Sequence, residues 1–150
     1  MSYYKRISII LIILTHSLSF SQDTDWVTFN GYKTNSDHKP DTIYLEFQIE
    51  QGYHIQSNDP GDDMVIPTKI KLDSIDGLIF GEPVFPGSKT FYISEIKTKV
   101  FEDVFEVKIP LIYKNRPKSY FIKGTLFYQP CDNKKCYFPR ELSFSVYLNN

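Results

Sequence analysis

"SYFIKGTLFYQPCDNKKCYFPRELSFSVYL", residues 119–148, decides the fold. On its C-terminal side Leu142, Phe144, Val146 and Leu148 alternate with Ser143, Ser145 and Tyr147. A period of two sends one row to each face, so the segment reads as a β-strand with one buried side. On the N-terminal side, 119–130 reads as a partner strand, and Asp132-Asn133-Lys134-Lys135 as the turn between the two. The chain's two cysteines, Cys131 and Cys136, fall at the tip of this predicted hairpin. There they can face each other within reach of a disulfide.

The same period runs through the rest of the chain. "TIYLEFQIE" (42–50) puts Ile43, Leu45, Phe47 and Ile49 on one face. "VFEVKIPL" (104–111) does the same with Phe105, Val107, Ile109 and Leu111. Shorter candidates are Val27–Phe29, Lys69–Leu72, Leu78–Phe80, Phe91–Ile93 and Tyr120–Phe127. The 11 Tyr and 12 Phe suit strands, and no helix-period stretch stands out. Turn signals fall at Asn30-Gly31, Gln51-Gly52, Asp59-Pro60-Gly61, Asp76-Gly77, Phe85-Pro86-Gly87 and Asn115-Arg116-Pro117. Seven to nine short strands in about 130 residues predict an all-β, immunoglobulin-like β-sandwich.

The first residues belong to a different kind of segment. Lys5 and Arg6 precede an apolar run from Ile7 to Leu14, and Ser19 and Ser21 are small residues two apart. This is the anatomy of a secretory signal peptide, residues 1–21, cleaved after Ser21. The polar Thr15-His16-Ser17 comes too early for a spanning helix, which needs about 20 apolar residues. One exported domain, residues 22–150, is expected to remain, periplasmic or secreted and without membrane insertion. The whole chain carries 17 basic and 18 acidic residues. Removing Lys5 and Arg6 leaves 15 basic, a net charge of −3, which gives no basis for nucleic-acid binding.

Export places the cysteines where a disulfide persists, and three chemistries compete for them. A structural staple is one. Closing a loop of about six residues gains only ~2 kcal/mol, against nearly 5 for about 100 residues. A domain of this size also builds its core without such help. A metal site is the second. Zinc needs four ligands, or three plus water, and only His38 and His54 remain to join the cysteines. A redox pair is the third. Lys134, Lys135 and Arg140 supply positive charge that favours a thiolate, although a solvated turn is commonly charged as well. Asp59-Pro60-Gly61-Asp62-Asp63 lacks the ligand spacing of a calcium loop. No nucleophile–base–acid arrangement and no glycine-rich phosphate loop is visible.

"GTLFYQPCDNKKCYFPRE" (124–141) resembles the active-site hairpin of the N-terminal periplasmic domain of DsbD, the transmembrane thiol-disulfide reductase. Tyr128-Gln129, Cys131, Cys136 and Pro139-Arg140-Glu141 carry the likeness. "GYHIQS" (52–57) is similar to the family segment whose aromatic or histidine lines the cysteine pocket. "FPGSKTFYISEI" (85–96) occupies the place of the family's cap loop. The resemblance runs from about Trp26 to Leu148.

The resemblance implies an immunoglobulin-like domain acting as a thiol-disulfide oxidoreductase without a bound cofactor or metal. Cys131 and Cys136 would be the exchanging pair, with Cys136 facing partners. His54 would flank the pair, and Phe91 or Tyr92 would be the cap aromatic. Tyr128 is expected to pack in the hairpin and to hydrogen-bond near the sulfurs. The implied partners are periplasmic thioredoxin-like proteins and a separate membrane reductase, since the sequence stops at Asn150. Lys89-Thr90 stand where some family caps carry acidic residues. The alternative is a non-catalytic immunoglobulin-like binding module whose hairpin disulfide pins a loop.

Overall fold

The structure, a computed structural model, describes residues 25–37, 40–93, 96–115 and 119–149. The predicted signal peptide and His38 lie outside them. The described residues form eleven strands and no helix. Two sheets make the sandwich. The first contains β1 (Val27–Thr34), β2 (Thr42–Ile49), β8 (Val104–Tyr113) and β5 (Leu78–Phe80), in the order β1-β2-β8-β5. The second contains β11 (Arg140–Asn149), β9 (Ser119–Tyr128) and β4 (Lys69–Leu72), in the order β11-β9-β4. Every pairing is antiparallel.

The alternation read in the sequence is the alternation of burial. Ile43, Leu45, Phe47 and Ile49 of β2 are buried, as are Phe105, Val107, Ile109 and Leu111 of β8. They meet Tyr120, Ile122, Leu126, Phe144, Val146 and Leu148 of β9 and β11 in one core. Phe47 bridges the sheets, with ring centroids 5.3 Å from Phe105 and 5.6 Å from Phe144. Each fully buried side chain of this size contributes about 1.5–3 kcal/mol.

One turn assignment needs correction. Asn30-Gly31 does not end β1. It is a β-bulge where the pairing with β2 slips between Phe29 and Gly31. Gly31 has φ 123°, which glycine adopts without strain. In the segment 85–96, Phe85-Pro86-Gly87 lies outside any strand, and the strand expected at Phe91–Ile93 starts two residues earlier, at Lys89. Strand β6 (Lys89–Ile93) pairs with β7 (Ile96–Phe101), a strand absent from the sequence reading.

The third sheet has the order β10-β3-β7-β6, with β10 spanning Pro130–Cys131 and β3 spanning His54–Gln56. It continues from the end of the sandwich where β2 finishes and β8 begins. There Ile49 N–H donates to Asp103 O at 2.8 Å and Glu50 N–H to Trp26 O at 2.9 Å.

Candidate functional site: the Cys131–Cys136 loop

The cysteine segment is not the tip of a continuous hairpin, as the sequence suggested. The β9–β11 ladder runs unbroken from Ser119↔Asn149 to Tyr128↔Arg140 and stops. The residue just before β11 is Pro139, which has no N–H to donate. Continued in register, Cys131 would stand opposite Tyr137. Instead the chain crosses to the third sheet, where Pro130 pairs with Ile55 and Cys131 with His54. Cys131 bridges Cys136 across a separate small turn.

That turn closes on its own hydrogen bonds. Asp132 N–H donates to Lys135 O at 2.9 Å and Tyr137 N–H to Pro130 O at 2.8 Å. The Asp132 carboxylate accepts Lys134 N–H at 2.7 Å, Lys135 N–H at 2.8 Å and the Tyr137 hydroxyl at 2.8 Å. These donors, the two backbone N–H groups first, hold the Asp132 pKa down to about 2. The bond to Asp132 pushes the Tyr137 hydroxyl up to about 12. Gln129 ties the loop to its neighbour, accepting Ile66 N–H at 2.9 Å and donating to Tyr137 O at 3.2 Å.

Cys131 and Cys136 form a disulfide with Cα atoms 3.9 Å apart. The two sulfurs have different surroundings. Cys131 is fully buried. Cys136 is half-buried and lines a cleft of about 410 Å³ with Ile66, Gln129, Phe138 and Pro139. Phe138 is 89% exposed beside it.

The structure brings His54 and Phe91 together beside Cys131. The His54 ring is buried and lies 4.1 Å from the Phe91 ring, centroid to centroid. Burial lowers the His54 pKa and outweighs the opposing fields of Glu102 and Asp132. Its Nε2 has no partner among the described residues. Tyr92, the neighbour of Phe91 along β6, is 62% exposed, on the opposite face by strand alternation. Tyr128 is buried in the sandwich core at the last rung of the ladder. Lys135 stands over the Tyr137 ring at 4.8 Å and Arg140 over the Trp26 ring at 5.3 Å. Among the described residues no cluster of three metal-binding side chains occurs.

One site residue escaped the sequence reading. Gln56, fully buried on β3, points its amide at the disulfide. Its Nε2 lies 3.3 Å from Cys131 Sγ and 3.6 Å from Cys136 Sγ. The only signal was its place in "GYHIQS", two residues after His54.

A sequence model of the thiol:disulfide interchange protein DsbD, N-terminal region, matches residues 25–147. The chain belongs to the DsbD N-terminal domain family. The Neisseria meningitidis DsbD N-terminal domain in its reduced form superposes with a TM-score of 0.54 at 22% identity, covering 81% of this chain and 86% of that one. The same species' complex between the DsbD N-terminal and PilB N-terminal domains gives 0.52 at 20% identity, over 79% and 80%. The N-terminal periplasmic domain of ScsB from Proteus mirabilis gives 0.46 at 20% identity, over 82% of this chain and 44% of that one. No curated protein matches at a significant level. The DsbD N-terminal fold is immunoglobulin-like, which agrees with the all-antiparallel sandwich seen here. Among the described residues no helix is long and apolar enough to cross a membrane.

Proposed function

We propose that this domain is a periplasmic thiol-disulfide exchange module. It relays two electrons through Cys131 and Cys136 between a membrane-embedded reductase and thioredoxin-like partners. The observation that carries the reading is the asymmetry of the pair: one sulfur is buried against Gln56 and the other stands at the lip of an apolar cleft. A bond that merely pins a loop has no need of such a cleft, and hydrogen bonds already close this loop. The complex of a similar DsbD N-terminal domain with the PilB N-terminal domain supports a protein partner.

In the reduced domain, Cys136 thiolate attacks a partner disulfide. A Cys136–partner bond forms, and the partner's second sulfur leaves as a thiolate. Cys131 thiolate then attacks Cys136 Sγ, closing the intramolecular disulfide and releasing the partner's first sulfur. Two electrons have passed to the partner, which takes up two protons as its thiols form. A dithiol reductase recharges the domain by the reverse sequence.

The test is the reduction potential, read by equilibrating the domain in glutathione buffers and alkylating free thiols. A value in the range of exchange proteins, about −120 to −270 mV, is expected. A value below about −300 mV belongs to a structural disulfide and would return the domain to the binding-module class.

A further inference from the structure

When an incoming thiolate attacks Cys136 Sγ, the electron pair of the broken bond goes to Cys131 Sγ. That thiolate forms in a fully buried position, where an anion without a donor is strongly disfavoured. The neighbouring ionised group is the wrong sign, because Asp132 stays a carboxylate above a pH of about 2. His54, the register partner of Cys131, is held toward its neutral form by burial. Lys135 is engaged over the Tyr137 ring.

We propose, building on the exchange reading, that the Gln56 amide is the donor that stabilises the Cys131 thiolate, and that Thr98 fixes the amide for this task. Gln56 Nε2 is the side-chain donor facing both sulfurs, nearer to Cys131 at 3.3 Å. The buried Thr98 hydroxyl donates to Gln56 Oε1 at 2.5 Å, which turns the NH₂ end toward the sulfurs. The Thr68 hydroxyl donates to the Gln56 backbone carbonyl and pins the strand. A disulfide sulfur is a weak acceptor and a thiolate a strong one, so the bond strengthens as the reaction proceeds. Gln56 thereby acts on the reacting atom, and Thr98 is a positioning residue.

The experiment isolates Cys131 in a Cys136→Ser background and titrates its thiolate by absorbance near 240 nm. Gln56→Met keeps length and volume but removes the donor. It should raise the Cys131 pKa by about one unit, the loss of a charge-assisted hydrogen bond. With both cysteines present it should slow reduction by a small thiol about tenfold. At a pH above the Cys131 pKa of both proteins, its reduction potential should fall by about 30 mV, the equivalent of a tenfold change in equilibrium constant. Thr98→Val should shift the pKa in the same direction by less. Thr68→Val disturbs the same buried strand but leaves the amide in place, so its Cys131 pKa should match the parent. A parental pKa in Gln56→Met overturns the proposal, as does an equal shift in Thr68→Val. The exchange reading stands or falls separately, on the potential of the unmutated domain.

Discussion

Reducing the disulfide should leave this domain folded at a small, calculable cost. Cys131 and Cys136 are five positions apart, and loop-closure entropy for so short a loop gives ~2 kcal/mol. The rest of the fold does not lean on the bond. The apolar core cluster contains neither cysteine. The loop keeps its two backbone bonds and the three donors to Asp132. Against a typical stability of about 5–15 kcal/mol, the reduced domain remains well below its unfolding midpoint. The assay is urea unfolding with and without reductant, followed by fluorescence of Trp26. It is the chain's single tryptophan, buried, with its ring 4.9 Å from Tyr137. With a slope of about 1–3 kcal/mol per molar urea, the midpoint should fall by about 1 M with the slope unchanged. Cooperative unfolding on reduction alone at room temperature would refute this and return the pair to the role of a staple.

Three further outcomes are expected. Cys131→Ser should trap a thioredoxin-like partner, presented as an activated mixed disulfide, in a stable complex on a non-reducing gel. Cys136→Ser should trap little, and equal trapping would remove the assignment of roles. Phe91→Ala, which uncovers the buried His54 ring beside Cys131, should speed reduction by a small thiol, whereas Tyr92→Ala should not; unchanged rates in Phe91→Ala would exclude it as the cap. Folding stability should fall in two steps with acid. A lowered His54 pKa means that the unfolded chain binds a proton first, so stability drops as pH falls below about 6.5, and His54→Phe should flatten that slope. Asp132, depressed from 3.8 to about 2, contributes stability present above pH 3.8 and lost as pH falls toward 2. A thermal-melting series across pH in the parent and in His54→Phe would contradict the first step if both slopes were equal.

Much of the sandwich was legible because its strands have one wet face. The alternation of β2, β8 and β11 maps directly onto burial. Strand β7 was missed because its inward row carries Thr98 as well as Val100, and Lys97 and Lys99 make the stretch look like a solvated loop. Its burial comes from pairing with β3 and β6, a long-range event that local periodicity does not record. Gln56 was missed for the same reason. A glutamine between an isoleucine and a serine reads as a surface residue, and it is buried by parts of the chain far away in sequence: β7, which pairs with it and supplies Thr98, and Cys131 of β10. The cysteine spacing showed that a pair exists, but not that its two members leave the hairpin they interrupt.

That departure is what gives the two sulfurs different surroundings. On a continuous hairpin, Cys131 and Cys136 would sit at an exposed tip in similar surroundings, and their pKa values would differ little. Pro139 ends the ladder and releases the segment, and the pairing of Pro130 and Cys131 with β3 carries one cysteine inward. Burial alone would raise the Cys131 pKa and make it a poor leaving group. A buried sulfur is therefore workable for exchange only with a donor beside it, and β3 brings one two residues after His54. Cys136 stays on the turn side, beside Lys135 and the cleft under Phe138. A single change of sheet thus separates a sheltered sulfur from an accessible one, and in the proposed exchange that separation sets the order of the two steps.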